Sequence, residues 1–296
     1  MEWTLEQLHG FVAVADELNF RRAAARLHMT QPPLSRQIQK LEKHVGAQLL
    51  ERDSRRVTLT AAGAAFLIEA RRLLALADAA PALARRISSG SAGLVRIGFT
   101  AVAAYGALGD VLATLGRDLP EVDVDLYEMV TRDQLQAMLN REIDLGLARP
   151  PFDDEAMDSR PLRREALVVA LPAGHRLLDL GRSLDGADLK NEPLIMHSAA
   201  KARYFHDLVL SLIPVGHENV VHSVSQVLTM VWLVAAGRGI AVVPASATRL
   251  GIPGVGFAPL HTPVRDPVEL HTIWLRQSRN PALWQALRVL ERTSPA

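Results

Sequence analysis

Residues 30–46, Thr30-Gln31-Pro32-Pro33-Leu34-Ser35-Arg36-Gln37-Ile38-Gln39-Lys40-Leu41-Glu42-Lys43-His44-Val45-Gly46, carry the densest local information in the chain. At about 100° per residue, Leu34, Ile38, Leu41 and Val45 share one narrow helical stripe, with Pro32, Ser35, Arg36, Gln39 and Lys43 on the opposite face. Thr30 is placed to cap this helix, the two prolines suit a first turn whose N–H groups lack intrahelical acceptors, and Gly46 stops it. Upstream, Leu5, Leu8, Phe11, Val12, Ala15 and Leu18 repeat at helical spacing. Phe20–Leu27 follows as a short second helix whose alanines let a neighbour approach closely. Downstream, Leu49–Arg52 and Arg56–Leu59 flank Asp53-Ser54-Arg55 as the strands of a small hairpin. Residues 1–60 therefore read as a winged helix-turn-helix.

The charge distribution points the same way. Between Asn19 and Arg56, nine basic side chains (Arg21, Arg22, Arg26, Arg36, Lys40, Lys43, Arg52, Arg55, Arg56) stand against three acidic ones. Over all 296 residues the balance is 33 basic to 32 acidic, a net of +1. A local excess of this kind is the footprint of a phosphate-contacting module. Gln31, Pro32, Ser35, Arg36 and Gln39 make the recognition face. Arginine pairs with guanine edges, glutamine with adenine, and serine with base or phosphate. Arg55 at the hairpin tip reaches a minor groove or its backbone, while Arg21, Arg22, Lys40 and Lys43 neutralise phosphates. The expected partner is double-stranded DNA.

The length exceeds one domain at roughly 100–200 residues each, and 49% apolar with 22% charged residues describes a globular chain. There is no uncharged apolar run of about 18 residues, and Met1–Glu6 lacks the features of a secretion signal, so a cytoplasmic protein without a membrane span is expected. The absence of cysteine excludes disulfides and thiolate chemistry. Thr60–Ser88 reads as a long helix whose Phe66, Ala70, Leu73, Ala77, Ala80, Ala84 and Ile87 form a coiled-coil-like seam for a second copy. Pro81 should kink or shorten it, and Ser88–Gly93 reads as a flexible linker, making 61–92 a linker helix and hinge. Beyond residue 93 strands (94–99, 122–127, 143–148, 166–171, 194–197, 219–221, 240–244) alternate with helices (102–117, 133–140, 203–212, 225–236, 281–292), an α/β pattern.

Phe20-x-x-Ala23-Ala24-x-x-Leu27-x-x-Thr30-Gln31-Pro32-Pro33-Leu34-Ser35-Arg36-Gln37-Ile38, then Leu41-Glu42-x-x-Val45-Gly46-x-x-Leu49-Leu50-Glu51-Arg52, resembles the DNA-binding domain of LysR-type transcriptional regulators. Thr58-Leu59-Thr60-x-x-Gly63 is similar to that family's entrance to its linker helix, and the α/β remainder resembles its effector domain. Gln31–Gln37 and Leu126-Tyr127-Glu128-Met129-x-Thr131 resemble most the regulators of aromatic-acid catabolism that answer muconate or benzoate. The resemblance implies a regulator, with activation as the expected sense, that needs no cofactor. It implies two periplasmic-binding-protein-like subdomains, 93–164 with 267–296 and 165–266, holding a small acid in their cleft. It also implies a dimer through the linker helix, a tetramer through the effector domains, and contact with RNA polymerase.

Carried over by position, the resemblance puts Thr100, Ala101, Val102 and Thr131 on one side of the cleft and Arg203 and Phe205 on the other. Val102 stands where a hydroxyl donor is usual and Arg203 where an apolar residue is usual, which points to a related but different acid. The residues themselves support an anion site: Thr100–Ala103 and Ser198–Lys201 lie where strands pass into helices. Thr131, His197, Ser198, Lys201 and Arg203 add donors or positive charge. A small-molecule-binding protein using the same cleft without DNA is the alternative, and the basic winged helix counts against it. No catalytic or metal site is expected: His217-Glu218-x-x-x-His222 has the wrong spacing for a zinc helix, and Gly237-x-Gly239 follows a helix.

Overall fold

The computed structural model describes residues 3–52, 56–152, 155–214 and 216–293. They form two compact units, Met1–Arg86 and Ile87–Ala296. In the first, α1 (Leu5–Glu17) begins with a capping box in which the Thr4 and Gln7 side chains and backbones exchange hydrogen bonds. In α2 (Phe20–Arg26) the Asn19 side chain accepts from the Arg21 and Arg22 N–H groups. In α3 (Gln31–Val45) the N-cap is Thr30, as expected, yet its hydroxyl makes no capping bond. The reason is chemical: an N-cap side chain bonds the second or third N–H of the helix, and Pro32 and Pro33 have none. Leu34, Ile38 and Leu41 are fully buried against Leu8, Phe11, Val14, Ala23 and Leu49.

The hairpin is β1 (Leu50–Arg52) and β2 (Val57–Leu59), paired antiparallel from Leu50↔Leu59 to Arg52↔Val57. Glu42 fastens it to α3. Its Oε1 accepts from Leu49 N and Leu50 N at 2.9 and 3.0 Å, and its Oε2 pairs with Arg52 Nη2 at 2.7 Å. Next comes α4 (Ala61–Ser89), whose first turn lies so close to Leu49 that a Cβ on Gly63 would sit 1.9 Å from the Leu49 carbonyl oxygen. Pro81 does not shorten this helix, which runs on to Ser89. Ala70 faces inward, and Leu73, Leu76, Leu83 and Ile87 are exposed large apolar side chains of the helix, beside the exposed Ala80 and Ala84.

In the second unit the expected linker is a short turn, since Ser88 and Ser89 are helical and β3 (Ala92–Phe99) starts at once. A continuous helical run follows: α5 (Ala101–Ala103), a π-helical turn (Ala104–Leu108) and α6 (Gly109–Asp118). Then come β4 (Glu121–Glu128), α7 (Thr131–Leu139), β5 (Leu145–Ala148), β6 (Met157–Glu165) and β7 (Leu167–Pro172). The chain continues through α8 (Gly186–Leu189), β8 (Leu194–His197), α9 (Arg203–Leu212), β9 (Val220–Val224), α10 (Val227–Ala235) and β10 (Ile240–Pro244). It closes with β11 (Val255–Pro259), β12 (Val268–Leu275) and α11 (Pro281–Thr293).

Two five-stranded sheets result, ordered β4-β3-β5-β12-β6 and β11-β7-β10-β8-β9. In each, four strands run in one direction (β4, β3, β5, β6 and β10, β8, β9, β11) and one, β12 or β7, runs antiparallel to its two neighbours. The chain passes from the first sheet to the second between Glu165 and Leu167, and returns between Pro259 and Val268. Sequence periodicity does not mark β6, β11 or β12. β6 is a polar edge strand interrupted by Pro161, and its partner β12 shifts register between Leu270 and His271 to accommodate it.

Candidate functional site

On α3 the structure separates paired from unpaired cations. Gln31, Pro32, Arg36, Gln39, Lys40 and Lys43 are exposed, and Ser35 is half-buried. Arg22 bonds the Glu17 carbonyl oxygen and lies 3.4 Å from its carboxylate. Arg26 and Arg71 converge on Asp16, and Arg52 is held by Glu42. Gln37 donates to Glu6 and so faces α1 rather than outward. Among the described residues, the side chains of Arg21, Arg36, Lys40, Lys43 and Arg56 meet no carboxylate. Five cations left without internal partners on a basic winged helix are available to DNA, and Arg22, 68% exposed, shares itself with the end of α1. Arg56, absent from the expected set, joins it, and Arg55 lies outside the described residues.

The second candidate site stands where β3, β5, β8 and β10 end, the position at which open α/β sheets bind ligands. Five buried polar atoms there have no hydrogen-bond partner: Thr100 Oγ1, Tyr105 OH, Arg149 Nε, His197 Nδ1 and Ser246 Oγ. Buried polar groups are ordinarily satisfied, so these atoms are available to a ligand or to water. Arg149, directly after β5, is 5% exposed. Its Nη1 donates to the Glu269 carbonyl oxygen at 2.7 Å, its Nη2 lies 3.5 Å from Glu165, and its guanidinium sits over the rings of Tyr204 and Phe205. Burial pulls this guanidinium below its usual range, and the Glu165 carboxylate opposes that pull. Burial likewise pushes the Tyr105 phenol up, so it stays a neutral donor.

The segment carrying Val102 and Tyr105 follows a strand of the first sheet but packs into the apolar core of the second, which places the orphan atoms between the two sheets. Gly106 lies against Ser246, and the Ser246 N–H donates to Glu165 Oε2 at 2.8 Å. The N–H groups of Ala101 and Val102 occupy a first helical turn, which has no intrahelical acceptor.

The other expected contact residues stand as follows. The Val102 side chain is core packing, 7% exposed, and offers the cleft only its backbone. Arg203 is 83% exposed and pairs with Asp207 one turn along, a solvated helix face. The Lys201 side chain is exposed, and its N–H is already engaged by Ser198 Oγ. The Ser198 N–H donates to the Val224 carbonyl oxygen, so this strand end offers fewer free amides than its spacing suggests. Thr131 Oγ1 accepts from the Arg149 N–H at 3.1 Å and thus positions that residue.

His197 is 1% exposed, stacks on Phe205 and meets the Val242 carbonyl oxygen through Nε2 at 3.0 Å. Burial lowers its pKa to about 4. It is neutral at pH 7 with Nε2 protonated, so Nδ1 is an acceptor and cannot supply charge to an anion. Thr100 at the end of β3 and Phe205 on α9 stand beside these groups, Phe205 under the Arg149 guanidinium. Arg149, Tyr105, Glu165, Tyr204 and Ser246 are its members beyond the sequence reading. The one available signal was an arginine directly after a short apolar strand.

Comparison with known proteins adds the following. Residues 5–64 match the family described as bacterial regulatory helix-turn-helix protein, lysR family. Residues 88–294 match the LysR substrate binding domain. The chain is 38% identical over 263 residues to the uncharacterized HTH-type transcriptional regulator YnfL of Escherichia coli (strain K12), covering 88% of each. It is 34% identical over 285 residues to the HTH-type transcriptional regulator AlsR of Bacillus subtilis (strain 168), covering 94% of this chain and 92% of that one. The crystal structure of full-length CbnR complexed with its target DNA is similar with a TM-score of 0.85 and 28% identity, covering 99% of this chain and 100% of that one.

Proposed function

The chain belongs to the LysR family of DNA-binding transcriptional regulators, and on that premise we propose that it switches promoter binding in response to a small organic acid held between its two effector sheets. The single observation that carries this reading is the buried Arg149, whose Nε is unpartnered beside the rings of Tyr204 and Phe205. A carboxylate meets the cation and the hydroxyls of Thr100, Tyr105 and Ser246, and an apolar or aromatic body meets the two rings. An intermediate of aromatic catabolism fits this chemistry; a non-aromatic acid is the other outcome of the test. The guest acts only through unequal affinity for two arrangements of the subdomains.

We take 1–60 as the DNA-binding domain, 61–92 as the linker and 93–296 as the effector domain, with the recognition face of α3 in the major groove and activation, through RNA polymerase, as the sense of control. Self-association follows from exposed apolar stripes: Leu73, Leu76, Leu83 and Ile87 on α4 for a dimer. Leu126, Tyr127 and Val130 at one sheet edge, with Val221, Leu228 and Trp232 at the other, suit a tetramer. No helix among the described residues is long and apolar enough to cross a membrane, and a cytoplasmic location fits a DNA-binding regulator. Thermal unfolding of the full chain against a panel of aromatic and dicarboxylic acids tests the reading. A true effector raises the midpoint in proportion to ln(1 + [L]/Kd) and shifts promoter affinity at fixed salt; no response to any acid contradicts it.

A further inference from the structure

A separate cavity of about 180 Å³ lies on the first sheet near the start of β5 and the end of β12, away from the strand ends that form the effector cleft. Its floor includes Ile143 and Leu275, and its walls carry Arg96, Arg141, Asp144 and Arg279. Asp144 is the only acid among them and is fully engaged: its Oδ2 accepts from the Arg96 N and Nε, both at 2.9 Å, and its Oδ1 from Arg96 Nη2 at 3.2 Å. Among the described residues, the side chains of Arg141 and Arg279 have no hydrogen-bond or ion-pair partner. The depression therefore brings two exposed, uncompensated cations, Arg141 and Arg279, to one rim beside the buried Ile143.

The backbone at Arg141 is a second pointer. Glu142 N donates to the Ala137 carbonyl oxygen and Arg141 N to that of Met138, which closes α7 and puts Arg141 in the left-handed region at φ 60°. Glycine is the usual residue at this position, so the chain carries an arginine where the backbone favours the smallest side chain. The opposite wall is preorganised. Asn280 Nδ2 donates to the Leu94 carbonyl oxygen at 2.8 Å, Asn280 Oδ1 accepts from the Ala282 N–H, and Trp284 Nε1 holds the Ser278 carbonyl oxygen.

We propose that this cavity binds a small oxyanion, a monocarboxylate or inorganic phosphate, between Arg141 and Arg279. At about 30 Å³ per water molecule the space equals some six waters, too little for a drug-sized ligand and enough for a compact anion. The helix that follows this loop, α11, meets the end of α4: Gln285 Nε2 donates to the Ser89 carbonyl oxygen at 2.8 Å, and Gly90 abuts the Pro281 carbonyl.

Calorimetric titration of the full chain with acetate, benzoate and inorganic phosphate, each separately, tests this. At least one probe is expected to bind, with affinity falling at least about tenfold in Arg141→Gly and in Arg279→Gln, one charge-assisted contact being lost in each. Glycine suits φ 60° at residue 141, so Arg141→Gly melts no lower than the parent and its loss of binding is not a folding defect. The event persists in Thr100→Val/Ser246→Ala, which separates it from the cleft, and the responding probe tells carboxylate from phosphate. Absence of any anion binding, or binding unchanged by both arginine substitutions, overturns the proposal.

Discussion

The Arg149 guanidinium lies 5.0 Å from the centroid of the Phe205 ring, joining the end of a strand in one effector sheet to a helix packed on the other. Arg149 also reaches the Glu269 carbonyl oxygen and Glu165 at the crossing point of the chain. A buried cation of this kind is costly unless something negative accompanies it. Glu165 supplies part of that charge, and the unused Nε leaves room for a second anion.

On the DNA side, Arg36→Ala is expected to cost about 1–3 kcal/mol on an operator and little on random DNA. Lys43→Ala is expected to weaken both equally and to lower the salt slope by about 1. Fluorescence anisotropy at several salt concentrations distinguishes them, and equal effects of the two substitutions contradict the division between base-reading and phosphate-contacting residues.

The wing depends on one carboxylate. Removing Glu42 leaves the N–H groups of Leu49 and Leu50, and Arg52, without their acceptor. Glu42→Ala is expected to destabilise the winged unit by about 2–3 kcal/mol, measured by chemical denaturation. A loss below about 0.5 kcal/mol would mean that the hairpin holds without this anchor.

A stability profile with pH follows from His197. Its folded pKa of about 4 lies below the usual imidazole value of 6.5, so the unfolded chain binds the extra proton first. The contribution is complete above pH 6.5 and declines as pH falls towards 4, by up to about 3 kcal/mol. The part of the acid-side loss due to this residue is expected to disappear in His197→Leu; identical pH slopes for the two proteins refute the assignment.

Self-association through α4 is tested at Leu76, which is 68% exposed. Leu76→Glu is expected to lower the oligomeric state in sedimentation without lowering the melting temperature of the winged unit, because the side chain contributes nothing to that unit's own core. An unchanged assembly places the interface elsewhere.

The DNA-binding unit was legible because its information is local. Leu34, Ile38 and Leu41 declare the buried stripe of α3 through their spacing alone, and all three are fully buried. The thirty residues that follow the wing declare a helix by composition in the same way. The effector site was legible only in outline, because its decisive groups meet across long sequence separations. Arg149 meets Glu165, Phe205 and Glu269, and no periodicity links these positions. The differences have the same origin. The sequence offers Arg203 as a ligand cation, and only three-dimensional placement shows its exposure and its pairing with Asp207. Strand β6 hides behind its polar residues and Pro161, which an edge strand tolerates and a central one does not.

The effector site is tested most directly by calorimetric titration of the acid found in the thermal screen into the parent chain and into Thr100→Val and Ser246→Ala. Neither hydroxyl has a protein partner among the described residues, so deleting it removes no internal hydrogen bond, and the loss is felt when the acid is bound. The expected result is an unchanged or higher melting temperature with affinity reduced about tenfold in each variant. Undiminished affinity in both variants would place the acid somewhere other than beside Arg149.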